Sequence, residues 1–364
     1  MASDPPIDQR GEWLEGIAET LWASGRKESA LAYFKKFVEA SGESPSLMRM
    51  ADLMAEQKRW KEAADWYEQA WERDKRNAVP LYLRGWALKQ NGQKEQGDQQ
   101  MKMACLLPLA NDEMRYQLAE AMSRHELNDA AIQEHETISR TGKFMNSWYA
   151  GHALDQLAHR AIQKKDFASA ARFYERRMLN CLRAGSGFLM PEAYLMMPSF
   201  VHSLHGRDHL AAGRMDEAIR EAWLCLDYIP GDVELVIDLA PKLEKHGRKK
   251  EADEIFSKVY DLHEKICADY SRSAGHHNNL AWMAANCGRR LDDALRHAQK
   301  AVELDSDNSA FLDTLAEVRF RRGDQQEAME VMKKCLKQDP KSDYFQKQLK
   351  RFEAGVPSPN PLTE

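Results

Sequence analysis

Residues Ser309 to Ser342 read SAFLDTLAEVRFRRGDQQEAMEVMKKCLKQDPKS. They divide into two amphipathic helices joined by Arg322-Gly323-Asp324. The first carries Leu312, Leu315, Ala316 and Arg319 at helical spacing. The second carries Ala328, Met332 and Cys335, and Pro340 stops it. Ala316 and Ala328 are small where the two axes must cross closely, because a larger side chain would push them apart. Gly323 supplies the backbone angles of the tight turn. A single pair of this kind cannot bury its own apolar faces, so it predicts neighbours built the same way.

The neighbours are legible. In one register, Ala or Gly stands at the first-helix crossing position nine times, at 18, 51, 85, 119, 158, 206, 240, 281 and 316. It does so again on the second helix, at 30, 63, 97, 131, 170, 218, 252, 294 and 328. This spacing resembles the tetratricopeptide repeat (TPR), a 34-residue helix–turn–helix unit. The resemblance runs from residue 11 to 342, strong in the last four repeats and degenerate in the third and fourth. The expected fold is all-α, a TPR α-solenoid of about nine repeats, and the resemblance implies a right-handed superhelix. The expected repeats are 11–43, 44–77, 78–111, 112–145, 151–184, 199–232, 233–266, 274–308 and 309–342. Residues 1–10 are expected to fray, 343–353 to form a capping helix, and 354–364 to be a disordered tail. In the cap, Tyr344, Leu349 and Phe352 are placed to cover the last apolar face. The second helix of the seventh repeat is expected to run on towards Tyr270.

Between the fifth and sixth repeats lies an insertion, GSGFLMPEAYLMMP at 185–198, apolar through 188–197. A large exposed apolar segment usually meets something. Self-assembly through it is therefore an alternative reading of the function.

Composition limits the other classes. Charged residues make up 30% of the 364, both signs are interspersed, and the formal net charge is −5. A nucleic-acid protein would show a basic stripe. No apolar run approaches the ~20 residues of a membrane span. The first residues lack a basic-then-apolar signal pattern. Six scattered Cys with no C-x-x-C pair read as reduced and packed in helices, which implies a cytoplasmic setting.

Catalytic signatures of the Gly-rich phosphate loops and of the nucleophile elbow do not occur. Helix pairs occupy nearly every residue, which leaves no room for a separate catalytic domain, so the chain reads as no enzyme with no cofactor. His202, His205 and His209 share one face of a first helix at i, i+3 and i+7. Imidazoles so spaced are candidate zinc or copper ligands, with Cys225 or a carboxylate completing the shell, and a metal-dependent activity centred on them is an alternative function. The competing reading is neutral, hydrogen-bonded histidines beneath the apolar insertion. His263 and Cys267, one turn apart, and His276-His277 are weaker instances.

The resemblance further implies that first helices line a concave face. On that face would stand Glu15, Glu19, Asp52, Glu56, Tyr82, Trp86, Tyr116, Glu120, Arg124, Arg207, Trp282, Asp313, Glu317, Phe320 and Arg321. Tyr82, Trp86 and Tyr116 would form an aromatic shelf across adjacent repeats, the usual make-up of a binding hot spot. The acidic mouth favours a protein or peptide partner that is basic or extended, with no role for nucleic acid or membrane. Some TPR co-chaperones grip a C-terminal carboxylate with Lys and Asn at two positions of one repeat. No repeat here has that pair, which disfavours such a clamp.

Overall fold

A computed structural model of the chain describes residues 10–107, 111–141, 147–184 and 191–356. Those residues contain nineteen helices and no strand. The chain divides into two compact units, Met1–Leu157 and Ala158–Glu364.

The first unit holds the pairs α1 (Arg10–Ala23) with α2 (Lys27–Ser41), α3 (Ser44–Glu56) with α4 (Trp60–Arg73), α5 (Ala78–Gln90) with α6 (Lys94–Leu106), and α7 (Asp112–Arg124) with α8 (Asn128–Thr141). Each pair packs its two helices together, and α5 also touches α4 and α7. One apolar core runs from Ala18 through Phe34, Leu53 and Tyr67 to Leu118 and Ala131. Helix α9 (Ser147–Gln163) starts within this unit.

The second unit holds α10 (Phe167–Ala184), α11 (Pro191–Ala211) with α12 (Met215–Tyr228), α13 (Val233–Lys245) with α14 (Lys249–Asp269), α15 (Ala274–Asn286) with α16 (Leu291–Leu304), α17 (Ser309–Arg322) with α18 (Gln325–Gln338), and α19 (Asp343–Glu353). Its main core extends from Ala222 and Leu226 through Phe256 and Leu280 to Met332 and Phe352. First helices also pack on first helices, α13 on α15 and α15 on α17. Among the described residues, no helix is long and apolar enough to cross a membrane.

The structure draws some limits differently from the sequence. Helix α11 begins at Pro191, inside the stretch read as an insertion, and carries Pro198 in its interior. Helix α9 begins at Ser147, before the expected start of its repeat. Helix α14, by contrast, runs 21 residues to Asp269 with Tyr270 as its cap, as its sequence leads one to expect. Of the apolar segment 188–197, residues 188–190 lie outside the described residues, as do 1–9 and 357–364.

Repetition is visible at atomic scale in the turns. In eight of the nine, the residue just before the second helix donates its backbone N–H to the carbonyl five residues back, as in Asp324 to Arg319 and Arg59 to Met54, both 2.9 Å, and in the α15–α16 turn, which has one more residue, Arg289 makes the same bond to Ala284. This bond occupies one of the carbonyls that a helix end leaves open. It requires a left-handed residue in between. Gly323 takes it at φ +94°, but Lys58, Glu126 and Lys165 hold the same place at φ 59°, 60° and 58°. A side chain there costs about 1–2 kcal/mol, which the packed helices on either side overcome.

The eighteen crossing positions are all buried. They are not equally tight. A Cβ on Gly85 would lie 2.7 Å from the Gly97 carbonyl oxygen, and one on Gly97 would lie 2.5 Å from that of Gly85. Backbone faces backbone, and neither can yield without moving a helix. At Gly206 the nearest atom to an added Cβ is Glu221 Cβ at 3.6 Å, an ordinary contact. Gly97→Ala is therefore expected to destabilise the protein by about 1–3 kcal/mol through overpacking. Gly206→Ala should stabilise it by about 0.5–1 kcal/mol, because Ala gives up less backbone freedom in a helix. Chemical denaturation of the two variants checks this, and effects of equal sign would contradict the crossing geometry.

Candidate binding surface

In the first unit, α3, α5 and α7 present their faces to one concavity of about 410 Å³. Asp52, Glu56, Trp86 and Arg124 line it, joined by Arg49, Ala55, His125 and Glu126. The tight turn at Glu126 brings His125 over the Trp86 ring, with centroids 4.9 Å apart. The other edge of Trp86 meets Trp60 in a T-shaped contact at 5.2 Å. The indole is thus fixed on two sides and half-buried, with its free edge among the lining residues.

Asp52 is held from beneath. The buried Tyr67 hydroxyl donates to its Oδ1 at 2.6 Å, and His125 Nε2 lies 3.4 Å from the same oxygen. Burial, then the Asp52 charge and this hydrogen bond, push the Tyr67 phenol far above its usual range. Tyr67 therefore stays a donor at any ordinary pH. Arg49 reaches Glu19 at 3.5 Å and lies over the Phe34 ring. Glu56, Arg124 and Glu126 are exposed at the rim. Glu15 is half-buried on α1.

The expected three-ring shelf does not form. Tyr82 is 3% exposed and belongs to the core. Nine of the thirteen residues of α5 are buried, because α6 approaches it so closely at Gly85 and Gly97 and α4 and α7 cover other faces. Burial, with Cys105 and Glu134 nearby, drives the Tyr82 phenol up. Tyr116 belongs to a different cluster, with Trp148 at 5.4 Å, Tyr149 at 5.6 Å and His152 at 6.0 Å. Burial and the Glu120 carboxylate that accepts its hydroxyl raise the Tyr116 phenol. Trp148, 56% exposed, is the open face of this second cluster. Burial also lowers His135 beneath it to about 4, so that imidazole is neutral.

Sequence reading missed Trp60, Arg49, His125, Glu126 and Trp148. Trp60 opens a second helix, His125 caps the end of α7, and Trp148 lies before the expected start of its repeat. Repeat positions therefore carried no signal for these three.

In the second unit, Arg207 donates from Nε to Asp238 Oδ2 at 2.9 Å, and Lys242 reaches Oδ1 of the same carboxylate at 2.6 Å. Only about 10 Å³ is open beside it, room for no more than one water. Trp282 is half-buried against the core. The three histidines of α11 are engaged separately. His202 Nδ1 lies 2.7 Å from Glu221 Oε2, His205 Nε2 lies 3.0 Å from Glu175 Oε1, and Arg214 donates to His209 Nδ1 at 2.9 Å. A helix turn places these residues on one face but aims each ring at a different neighbour. Among the described residues they are not a set with converging ligand atoms.

The last first helix, α17, is covered rather than open. Tyr344 of α19 donates to Asp313 Oδ2 at 2.9 Å, Arg351 of α19 meets Glu317, and Arg321 closes on Glu317 at 2.6 Å. Phe352 is fully buried against Phe320, with ring centroids 4.7 Å apart. The cap therefore occupies the positions the repeat pattern assigned to a partner.

The fold is that of an α-helical repeat protein. Residues 312–342, which span most of α17 and all of α18, match the family model described as Tetratricopeptide repeat. The chain carries a TPR there, and the resemblance drawn from its residues has this match behind it. Solved structures that the chain is similar to include yeast Tom70, at 13% identity over 96% of this chain and 89% of that one, TM-score 0.34. Others are the TPR domain of P58(IPK), at 14% over 86% and 98%, TM-score 0.23, and the C-terminal part of a TPR repeat-containing protein from Cytophaga hutchinsonii, at 13% over 74% and 99%, TM-score 0.36. No curated protein matches the chain in sequence.

Asp313 gives a pH signature of the cap. Burial, with Glu317 adding to it, raises its carboxyl to about 7 despite Tyr344 and Arg351. Below about pH 4 both folded and unfolded chains hold this proton. Between pH 4 and 7 the unfolded carboxylate ionises while the folded one does not, so stability falls as pH rises. Asp313→Asn keeps an acceptor for Tyr344 and removes the titration. Its thermal midpoint should exceed that of the wild type above pH 7, with the gap closing towards pH 4. A gap independent of pH would show that Asp313 is not the titrating group.

Proposed function

We propose that the chain is a non-catalytic protein–protein interaction scaffold that receives an extended, basic peptide segment in the first-unit concavity. The observation that carries this reading is Trp86, clamped by Trp60 and His125 yet open to a concavity of about 410 Å³. A rigid aromatic in a pocket with a charged rim is the usual anchor of an interface. Exposed Glu56 and Glu126 at the rim, with Asp52 behind them, favour a cationic side chain. Glu19 and Glu15 of α1 extend the acidic approach. Tyr116 and Glu120, with Trp148, offer a second aromatic contact for a longer segment. Tyr82 acts only by supporting the core. Nine repeats and a C-terminal cap are the domain layout we assign, and six scattered cysteines with no C-x-x-C pair support a reducing, cytoplasmic setting.

Association with a second copy is the other reading. Met196 and Phe200, 48% and 52% exposed on α11, favour it, since Met196 belongs to the apolar segment 188–197 and Phe200 lies just beyond it.

Peptides selected from a random display library on the full chain test the proposal. They should be enriched in Lys and Arg. Their affinity should fall at least about tenfold, or ~1.4 kcal/mol, in Trp86→Ala. The same selection should weaken with Glu56→Arg, a rim change that leaves the core alone, and persist with Trp282→Ala. Circular dichroism confirms that each variant is folded. Peptides that bind all three variants as well as the wild type would reject the concavity, and sedimentation of the free chain as a dimer would favour the second reading.

A further inference from the structure

We propose that Cys267, His277 and His297 form a binding site for a zinc-class divalent metal ion at the junction of α14, α15 and α16. One ligand atom from each residue lies within 4.8 Å of the other two. The three side chains come from three different helices, and two of them are buried. Thiolate plus imidazole is the donor set that zinc and its near neighbours prefer.

The length of α14 makes the meeting happen. Cys267 stands near its last residue, Asp269, well beyond the 14 residues of α12, α16 and α18. The added turns carry the thiol to the start of α15, where His277 sits in the first turn, and alongside His297 in the middle of α16.

The imidazoles are prepared for ligation. His277 Nε2 lies 3.1 Å from the Ser271 carbonyl, a partner that can only accept. Nε2 therefore carries the proton, and the Nδ1 lone pair points into the cluster. A backbone carbonyl on the remote ring nitrogen is the usual support of a metal-bound histidine. His277 Nδ1 and His297 Nδ1 are 2.8 Å apart, with their rings stacked at 5.1 Å. Without an ion, His297 must donate its Nδ1 proton to His277. With one, both Nδ1 lone pairs face the metal and His297 carries its proton on Nε2. Tetrahedral zinc, with bonds of about 2.0–2.1 Å to nitrogen and 2.3 Å to sulfur, needs ligand atoms roughly 3.3–3.6 Å apart. The histidine pair has to open by only about half an ångström to reach that spacing.

Binding of an ion displaces the Cys267 thiol proton to solvent as the sulfur–metal bond forms. Three protein ligands leave the fourth tetrahedral position to water or to an outside donor. Closing on such an ion would tie α14 to the two helices already joined here by the His277–His297 hydrogen bond.

Titration of the reduced full-length chain with Co(II) tests the site. The expected result is a thiolate-to-cobalt charge-transfer band that saturates at about one ion per chain and is displaced by Zn(II). Cys267→Ser should abolish the band. His297→Gln, a change at a half-exposed position, should weaken Zn(II) binding by at least about tenfold while circular dichroism is unchanged. Cys105→Ser and His246→Gln should leave both readouts intact. Failure of the band to saturate, or its survival in Cys267→Ser, overturns the proposal. If Cys267→Ser does not fold, His297→Gln decides, and unweakened binding there overturns it as well.

Discussion

Two helices approach each other only as closely as the smallest side chains between them allow, and this structure depends on that limit. At each of nine crossings, both partners are Ala or Gly. The limit is reached in α5 and α6, where each glycine faces the other's carbonyl with no room for a methyl group. Close crossing lets the large side chains flank the contact instead of separating the axes. Phe34, Tyr67, Phe256 and Tyr260 are accordingly buried almost completely. The same approach places α5 beside α7, α13 beside α15 and α15 beside α17, so that their outward faces become neighbours.

Which of those outward residues remain open is a matter of how far each helix is enclosed. Trp86 and Tyr82 lie one helical turn apart on α5 and were equivalent candidates from the repeat pattern. Tyr82 sinks into the core because α5 is covered on most sides, whereas Trp86 faces the hollow between α3 and α7. The ninth pair shows the opposite balance. Asp313 and Glu317 occupy groove positions, yet α19 lies over them, and its Tyr344 and Arg351 supply the partners that a buried carboxylate needs. A terminal repeat has no successor to bury its face, and here the cap satisfies polar groups as well as apolar ones.

Helix length is the second variable. The length of α14, beyond the common 14 residues, carries Cys267 to the neighbourhood of two histidines on other helices. The α11 histidines, by contrast, share a face through local periodicity alone and diverge to separate carboxylate and arginine partners. Shared helical spacing puts residues on one side of a cylinder, but convergence needs elements that aim different side chains at one point.

The all-α repeat design was legible because it rests on local rules. Small residues recur at a fixed spacing, Gly323 and its counterparts mark the turns, and Pro340 ends a helix. Asp52, Glu56, Trp86 and Arg124 could be placed on one face for the same reason, since the period of the repeat sets which residues look the same way. The start of α11 at Pro191 was hidden because a proline is as much at home opening a helix as in a loop. The Trp60–Trp86–His125 stack, the burial of Tyr82 and the covering of Asp313 were also illegible. Each depends on the distance between helices far apart in the chain, and that distance is set by the summed packing of all their contacts rather than by any one stretch of sequence. The sequence by itself determined which faces of the helices are apolar and where the chain turns, and only the tertiary structure decided which polar and aromatic groups stay exposed.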